Sequence, residues 1–72
     1  MKQTERVLDY IKRFGSITQL EALADLGIMR LGARVWDLRH EGYPIKSKLI
    51  SRKNRFGETT YFSQYSLEVN NA

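Results

Sequence analysis

Cysteine is absent from this chain, and histidine, proline and tryptophan each occur once. Without cysteine there is no disulfide and no thiolate chemistry. With a single histidine, a structural zinc site would have to be built mostly from carboxylates, so no metal is expected. No run of about 18 apolar residues exists, which excludes a membrane-spanning helix. The opening Met1-Lys2-Gln3-Thr4-Glu5-Arg6 lacks the apolar centre of a signal peptide. These absences predict a soluble, cytoplasmic protein. Also missing are a glycine-rich phosphate loop, a nucleophile with a histidine beside it and any cluster with metal-ligand spacing. The expectation is no catalysis and no cofactor.

What is present fits one small domain. At 72 residues the chain leaves much of its surface wet and buries only a small core. The apolar fraction, 42%, and eight aromatics are enough for a globule and too many for a disordered tail. Residues 1–72 therefore read as a single domain, ordered from about 4 to 67, with 68–72 a frayed tail.

Apolar spacing marks three helices. Val7, Leu8, Ile11 and Phe14 lie at helical period from Thr4 to Phe14, and Gly15 stops that helix. Ser16-Ile17 reads as one strand-like step. Thr18 opens a second helix, Gln19 to Leu26, with Glu21 placed to complete a capping box. Leu20, Leu23 and Ala24 are expected to face inward, and Gly27 ends it. Ile28-Met29 is a tight link to a third helix, about Arg30 to Glu41, with Leu31, Val35 and Leu38 on one stripe. Gly42 and Pro44 end this helix. His40 reads as a surface residue.

From Ile45 the pattern changes to strand. Ile45–Arg52 and Thr59–Leu67 flank a turn cluster, Lys53-Asn54-Arg55-Phe56-Gly57. Tyr61, Ser63, Tyr65 and Leu67 share one face, with Tyr65 and Leu67 expected on the helices. The fold class is α+β: a three-helix winged helix-turn-helix with a C-terminal β-hairpin wing. Trp36 and Tyr43 read as packing under that wing. The short link around Gly27 has the spacing of a helix-turn-helix.

Charge is uneven. The whole chain nets +4, yet Tyr43 to Gly57 alone holds Lys46, Lys48, Arg52, Lys53 and Arg55 with no acid. A local excess of this kind suits a polyanion. In a helix-turn-helix the N-terminal half of the second helix enters the major groove, which here places Arg30 and Arg34 at base edges. An alternative for Arg34 is an intrahelical pair with Asp37. Gly32 and Ala33 are small enough to let the backbone approach the duplex or the preceding helix, although Gly32 also reads as a tolerated defect. Lys48, Arg52, Lys53, Asn54 and Arg55 are placed to reach phosphates or the minor groove. Thr18 and Gln19 are further candidates, touching a phosphate through free backbone N–H groups. Thr18 also has its plain capping role.

The blocks Val7-Leu8-Asp9-Tyr10-Ile11, Gly15-Ser16-Ile17-Thr18, Leu26-Gly27-Ile28 and, above all, RLGARVWDLRHEGYPI from Arg30 to Ile45 resemble a family of small winged helix-turn-helix domains found in phages and prophages. Lys53 to Glu58 and Tyr65-Ser66-Leu67 resemble that family's wing and closing strand. The resemblance implies a three-helix core, a β-wing and DNA binding. Met29 stands where such domains tend to carry a capping Ser or Thr, and Gly32 where alanine is common. The glycine is expected to lower helix propensity by about 0.8–1.0 kcal/mol.

The sequence thus predicts double-stranded DNA binding by a phage protein acting in transcriptional control or as a recombination or excision accessory. One copy buries little surface, so a homodimer or tandem sites are expected. The rival reading is a phage protein-interaction module that inhibits a host nucleic-acid-handling or defence enzyme. RNA binding is a further alternative.

Overall fold

Three helices and three strands follow one another in the order α1 (Gln3–Phe14), β1 (Ile17–Thr18), α2 (Gln19–Leu26), α3 (Leu31–His40), β2 (Ile45–Lys53), β3 (Thr59–Leu67). This computed structural model describes residues 2–68. The α+β architecture read from the sequence is the one observed. No helix among the described residues is long and apolar enough to cross a membrane.

The core is one cluster drawn from every layer. Val7, Tyr10 and Ile11 of α1 meet Ile17, Ala22, Ile28, Leu31, Val35, Leu38 and Ile45. Tyr65 and Leu67 of β3 pack against it, as expected from their shared face. Leu31, Val35 and Leu38 fall at i, i+4 and i+7, so α3 turns one narrow stripe inward and leaves the rest wet.

Two inward faces differ from the sequence expectation. In α1, Tyr10 is buried and Phe14 is 69% exposed. Phe14 is the last residue of its helix and packs on the Tyr10 ring, at 4.7 Å between centroids. In α2, Leu20, Leu23 and Ala24 are exposed and Ala22 is buried. The ends of that short helix decide its rotation. Thr18 is fixed in the sheet and buried, so the residue one turn later, Ala22, faces in with it. A methyl side chain there lets α2 lie close to the core.

The caps explain the boundaries. Thr18 Oγ1 accepts the Glu21 N–H at 3.2 Å, and Glu21 Oε1 accepts the Thr18 N–H at 3.0 Å, the predicted capping box. Gly27 at φ 68° closes α2, a left-handed conformation that favours glycine. At the end of α3, Gly42 (φ 100°) donates to Arg39 O and Tyr43 to Leu38 O, both at 3.1 Å, a Schellman closure.

The sheet is antiparallel in the order β1-β3-β2. Ile17 pairs with Tyr65 and Thr18 with Gln64; β2 and β3 pair throughout, from Ile45 opposite Leu67 to Lys53 opposite Thr59. Because β1 is only two residues long, the sheet beyond Gln64 is a two-stranded ribbon projecting into solvent. Glu68, expected in the frayed tail, is tied back by its N–H to Pro44 O at 2.8 Å. The rest of that tail, residues 69–72, lies outside the described residues.

Candidate nucleic-acid interface

The turn between α2 and α3 is held by one side chain. Gln19 Nε2 donates to Ile28 O at 2.8 Å, and Gln19 Oε1 accepts the Leu31 N–H at 2.8 Å. Arg30, at the N-cap of α3, makes no capping bond of its own. Gln19 therefore supplies from the start of α2 the cap that Met29 and Arg30 lack. Sequence reasoning missed this role; the sign available was the missing Ser or Thr at Met29.

Of the two backbone N–H groups considered at the head of α2 for a phosphate, that of Thr18 is engaged by Glu21. The Thr18 N–H donates to Glu21 and its hydroxyl oxygen accepts from the Glu21 N–H, so Thr18 is a cap. The Gln19 amide is committed at both ends to the turn.

On α3, the two candidate arginines differ. Arg30 is exposed and borders a shallow cleft with Gln3, Gly27, Met29 and Arg34. Arg34 is drawn aside. Its Nε lies 3.2 Å from Asp37 Oδ2, but the N–H is not aimed at the carboxylate, so the contact is an ion pair without a hydrogen bond. Its Nη1 donates to Gln3 Oε1 at 3.3 Å. The intrahelical pair considered for Arg34 from the sequence is present. On the other flank, Arg39 Nε donates to Ile45 O at 3.0 Å and ties α3 to the root of the hairpin.

The outward face of α3 is unsealed. Arg30, Gly32, Trp36 and His40 are all exposed. Trp36, expected under the wing, is instead 59% exposed and stacked on His40 at 3.6 Å between ring centroids. The reason is angular: the buried stripe at 31, 35 and 38 leaves position 36 on the opposite side of a 3.6-residue turn. Tyr43 is likewise partly exposed. Gly32 makes no close approach to a neighbouring element, since a Cβ there would meet nothing within 4 Å.

In the hairpin, side chains alternate between faces and directly opposed residues share one. Lys46, Lys48 and Arg52 stand on one face with Ser66, Gln64 and Thr60. Lys53 stands on the other, in line with Ser51 and Tyr61. Lys48 continues a row through Gln64 to Thr18, and Arg52 borders a groove with Gln19, Leu20, Leu23 and Phe62. The structure thus brings Lys48 and Arg52 to the head of α2, keeps Lys53 and Arg55 at the tip, and sets Arg30 apart at the head of α3. Lys46, omitted from the sequence-based site, joins the first group by the strand alternation that was already legible.

Asn54 builds the tip. Its Oδ1 accepts the N–H groups of Phe56 at 2.9 Å and Glu58 at 3.0 Å. Both lone pairs face inward, which shapes the loop that carries Lys53 and Arg55. Among the described residues, no ion pair engages any cation of the hairpin. Exposed cations without an acidic partner on a two-stranded ribbon suit a polyanion.

A family model described as a winged helix-turn-helix domain matches residues 2–70. No curated protein and no solved structure matches the chain.

Proposed function

We propose that this chain, which belongs to the winged helix-turn-helix domain family, binds double-stranded DNA with α3 in the major groove and the β2–β3 wing along the flanking phosphates. DNA binding in general comes with the family; the geometry of engagement is our reading. The observation that carries it is the pairing of an open α3 flank with a projecting wing whose cations have no acidic partner among the described residues. Arg30 would contact base edges. Lys48, Arg52, Lys53 and Arg55 would supply affinity through counterion release without reading sequence. Such a protein acts by binding and not by catalysis. We assign it to the cytoplasm of a phage host, as a transcriptional regulator or an accessory of recombination or excision. Because one copy offers a small contact area, two copies or tandem sites would be needed for tight specific binding.

A second reading has one observation in its favour. Leu20, Leu23 and Phe62 line an apolar groove beside Arg52, and Leu20 is 60% exposed. A module that docks on a host nucleic-acid-handling or defence enzyme would use such a surface. Amide chemical-shift mapping with a short random duplex separates the two. The DNA reading expects shifts at Arg30, Gly32, the Trp36 indole and the wing tip. Shifts confined to the Leu20–Leu23 groove, or none, would contradict it. An excess of structured RNA that displaces the duplex completely would move the assignment to RNA.

A further inference from the structure

We propose that Trp36 is a specificity-determining residue of α3, beside Arg30, and that it reads the C5 methyl group of thymine, an inference that rests on the DNA-binding reading above. The arginines in the middle of the helix are already engaged elsewhere. Arg34 is held on one flank by Asp37 and Gln3. Arg39 is held on the other by the carbonyl of Ile45. Arg30 reaches only the first turn. Between them the outward face carries Gly32, Ala33, Trp36 and His40, with the partly exposed Asp37 beside Arg34.

Trp36 is built to present a surface. It is 59% exposed, yet it is not loose. The His40 ring stacks on the indole with 30° between the planes, and His40 Nδ1 lies 3.0 Å from Trp36 O. A stacked indole loses little freedom when it meets a ligand. Gly32 and Ala33 carry no polar group and no bulk, so the helix can approach the groove floor around it. The major groove offers one apolar group at its floor, the thymine methyl. An apolar ring flanked by small residues complements that group, and the indole N–H adds a donor for a neighbouring base acceptor.

The test uses the full chain and the tightest duplex recovered from a random-sequence pool. That duplex is made twice, once with thymine and once with deoxyuridine at every thymine position, which removes only the methyl groups. Binding is followed by fluorescence anisotropy. The thymine form should bind about fourfold tighter for each methyl contacted. Trp36→Ala should bind the two forms equally, with the salt dependence of binding unchanged. Trp36→Phe, which keeps an apolar ring, should retain part of the preference. Circular dichroism should be unaltered in both variants, because the side chain lies outside the core. Equal binding of the two duplexes by the wild-type chain would overturn the inference, as would a methyl preference that survives in Trp36→Ala. A pool that enriches no sequence would overturn it while leaving phosphate binding intact. Tighter binding to single strands, lost in Trp36→Ala, would assign the indole to base stacking instead. Absence of duplex binding altogether would remove the DNA reading and the inference with it.

Discussion

Gln19 and Leu31, twelve positions apart in sequence, are joined across the interhelical turn by a 2.8 Å hydrogen bond from the Leu31 N–H to the Gln19 side-chain oxygen. The same amide donates to Ile28 O, so one side chain satisfies an orphan donor of α3 and an acceptor of the turn together. The first turn of the proposed reading helix is therefore positioned from α2. Gln19→Ala should lower stability by about 0.5–2 kcal/mol, the usual range for loss of a cap. Gln19→Glu keeps the acceptor for Leu31 but loses the donor to Ile28, and should fall between the two. Urea denaturation measures both. Unchanged midpoints would mean that the turn is held by something other than this amide.

Tyr10 links α1 to the end of α2. Its hydroxyl donates to Asp25 Oδ2, and that bond, reinforced by desolvation and by the nearby charges of Glu21 and Asp25, pushes its pKa from 10.0 up to about 12. The folded state thus favours the neutral phenol. Its contribution is complete below the ordinary tyrosine pKa and is lost as the pH rises from about 10 toward 12. Thermal melts above pH 10 should show a steeper loss of stability for the wild-type chain than for Tyr10→Phe. Parallel curves would contradict the Tyr10–Asp25 linkage.

Most of the backbone was legible in the sequence because its signals are local. The capping box at Thr18, the glycines after each helix and Pro44 fix boundaries through neighbours a few residues away. The stripe of Leu31, Val35 and Leu38 fixes the rotation of α3. The rotation of α2 was not legible, since Leu20, Leu23 and Ala24 form a tempting apolar face. What turns Ala22 inward is the anchoring of Thr18 in a sheet whose other strands come much later in the chain. The same limit hid the Gln19 clamp and the bond from Arg34 to Gln3. Each depends on which groups folding brings within hydrogen-bond reach. The basic wing was visible as a charge run, and strand alternation then divides its cations between two faces.

Gly32 is a separate case. It sits in the first half of α3 with open space where a Cβ would be. No close contact needs the glycine, so Gly32→Ala should raise stability by about 0.8–1 kcal/mol through helix propensity alone. Denaturant titration gives the value. A loss of stability would mean that this position has a packing role.

The two arginines of α3 should separate in function. Arg30→Ala should relax sequence preference in a selection from random duplexes, because Arg30 is exposed at the end of α3 proposed to face the groove. Arg34→Ala removes the ion pair to Asp37 and the bond to Gln3, so its main effect should be on stability, at about 1 kcal/mol or less for a half-exposed pair. Intact preference in Arg30→Ala would move base reading away from the first turn.

Lys53 and Arg55 flank the tip that Asn54 shapes. If each meets one phosphate, Lys53→Ala combined with Arg55→Ala should flatten the slope of log K against log salt by about 1.8, at about 0.9 for each phosphate. Affinity should drop similarly on all duplexes. An unchanged slope would take the tip out of the interface.

The most direct measurement is the affinity of the wild-type chain for a random-sequence duplex across a series of salt concentrations. Binding through the wing and the head of α3 predicts a straight line of slope about −3 or steeper, since several phosphates release their counterions. No binding at low salt, or an affinity indifferent to salt, would contradict the account.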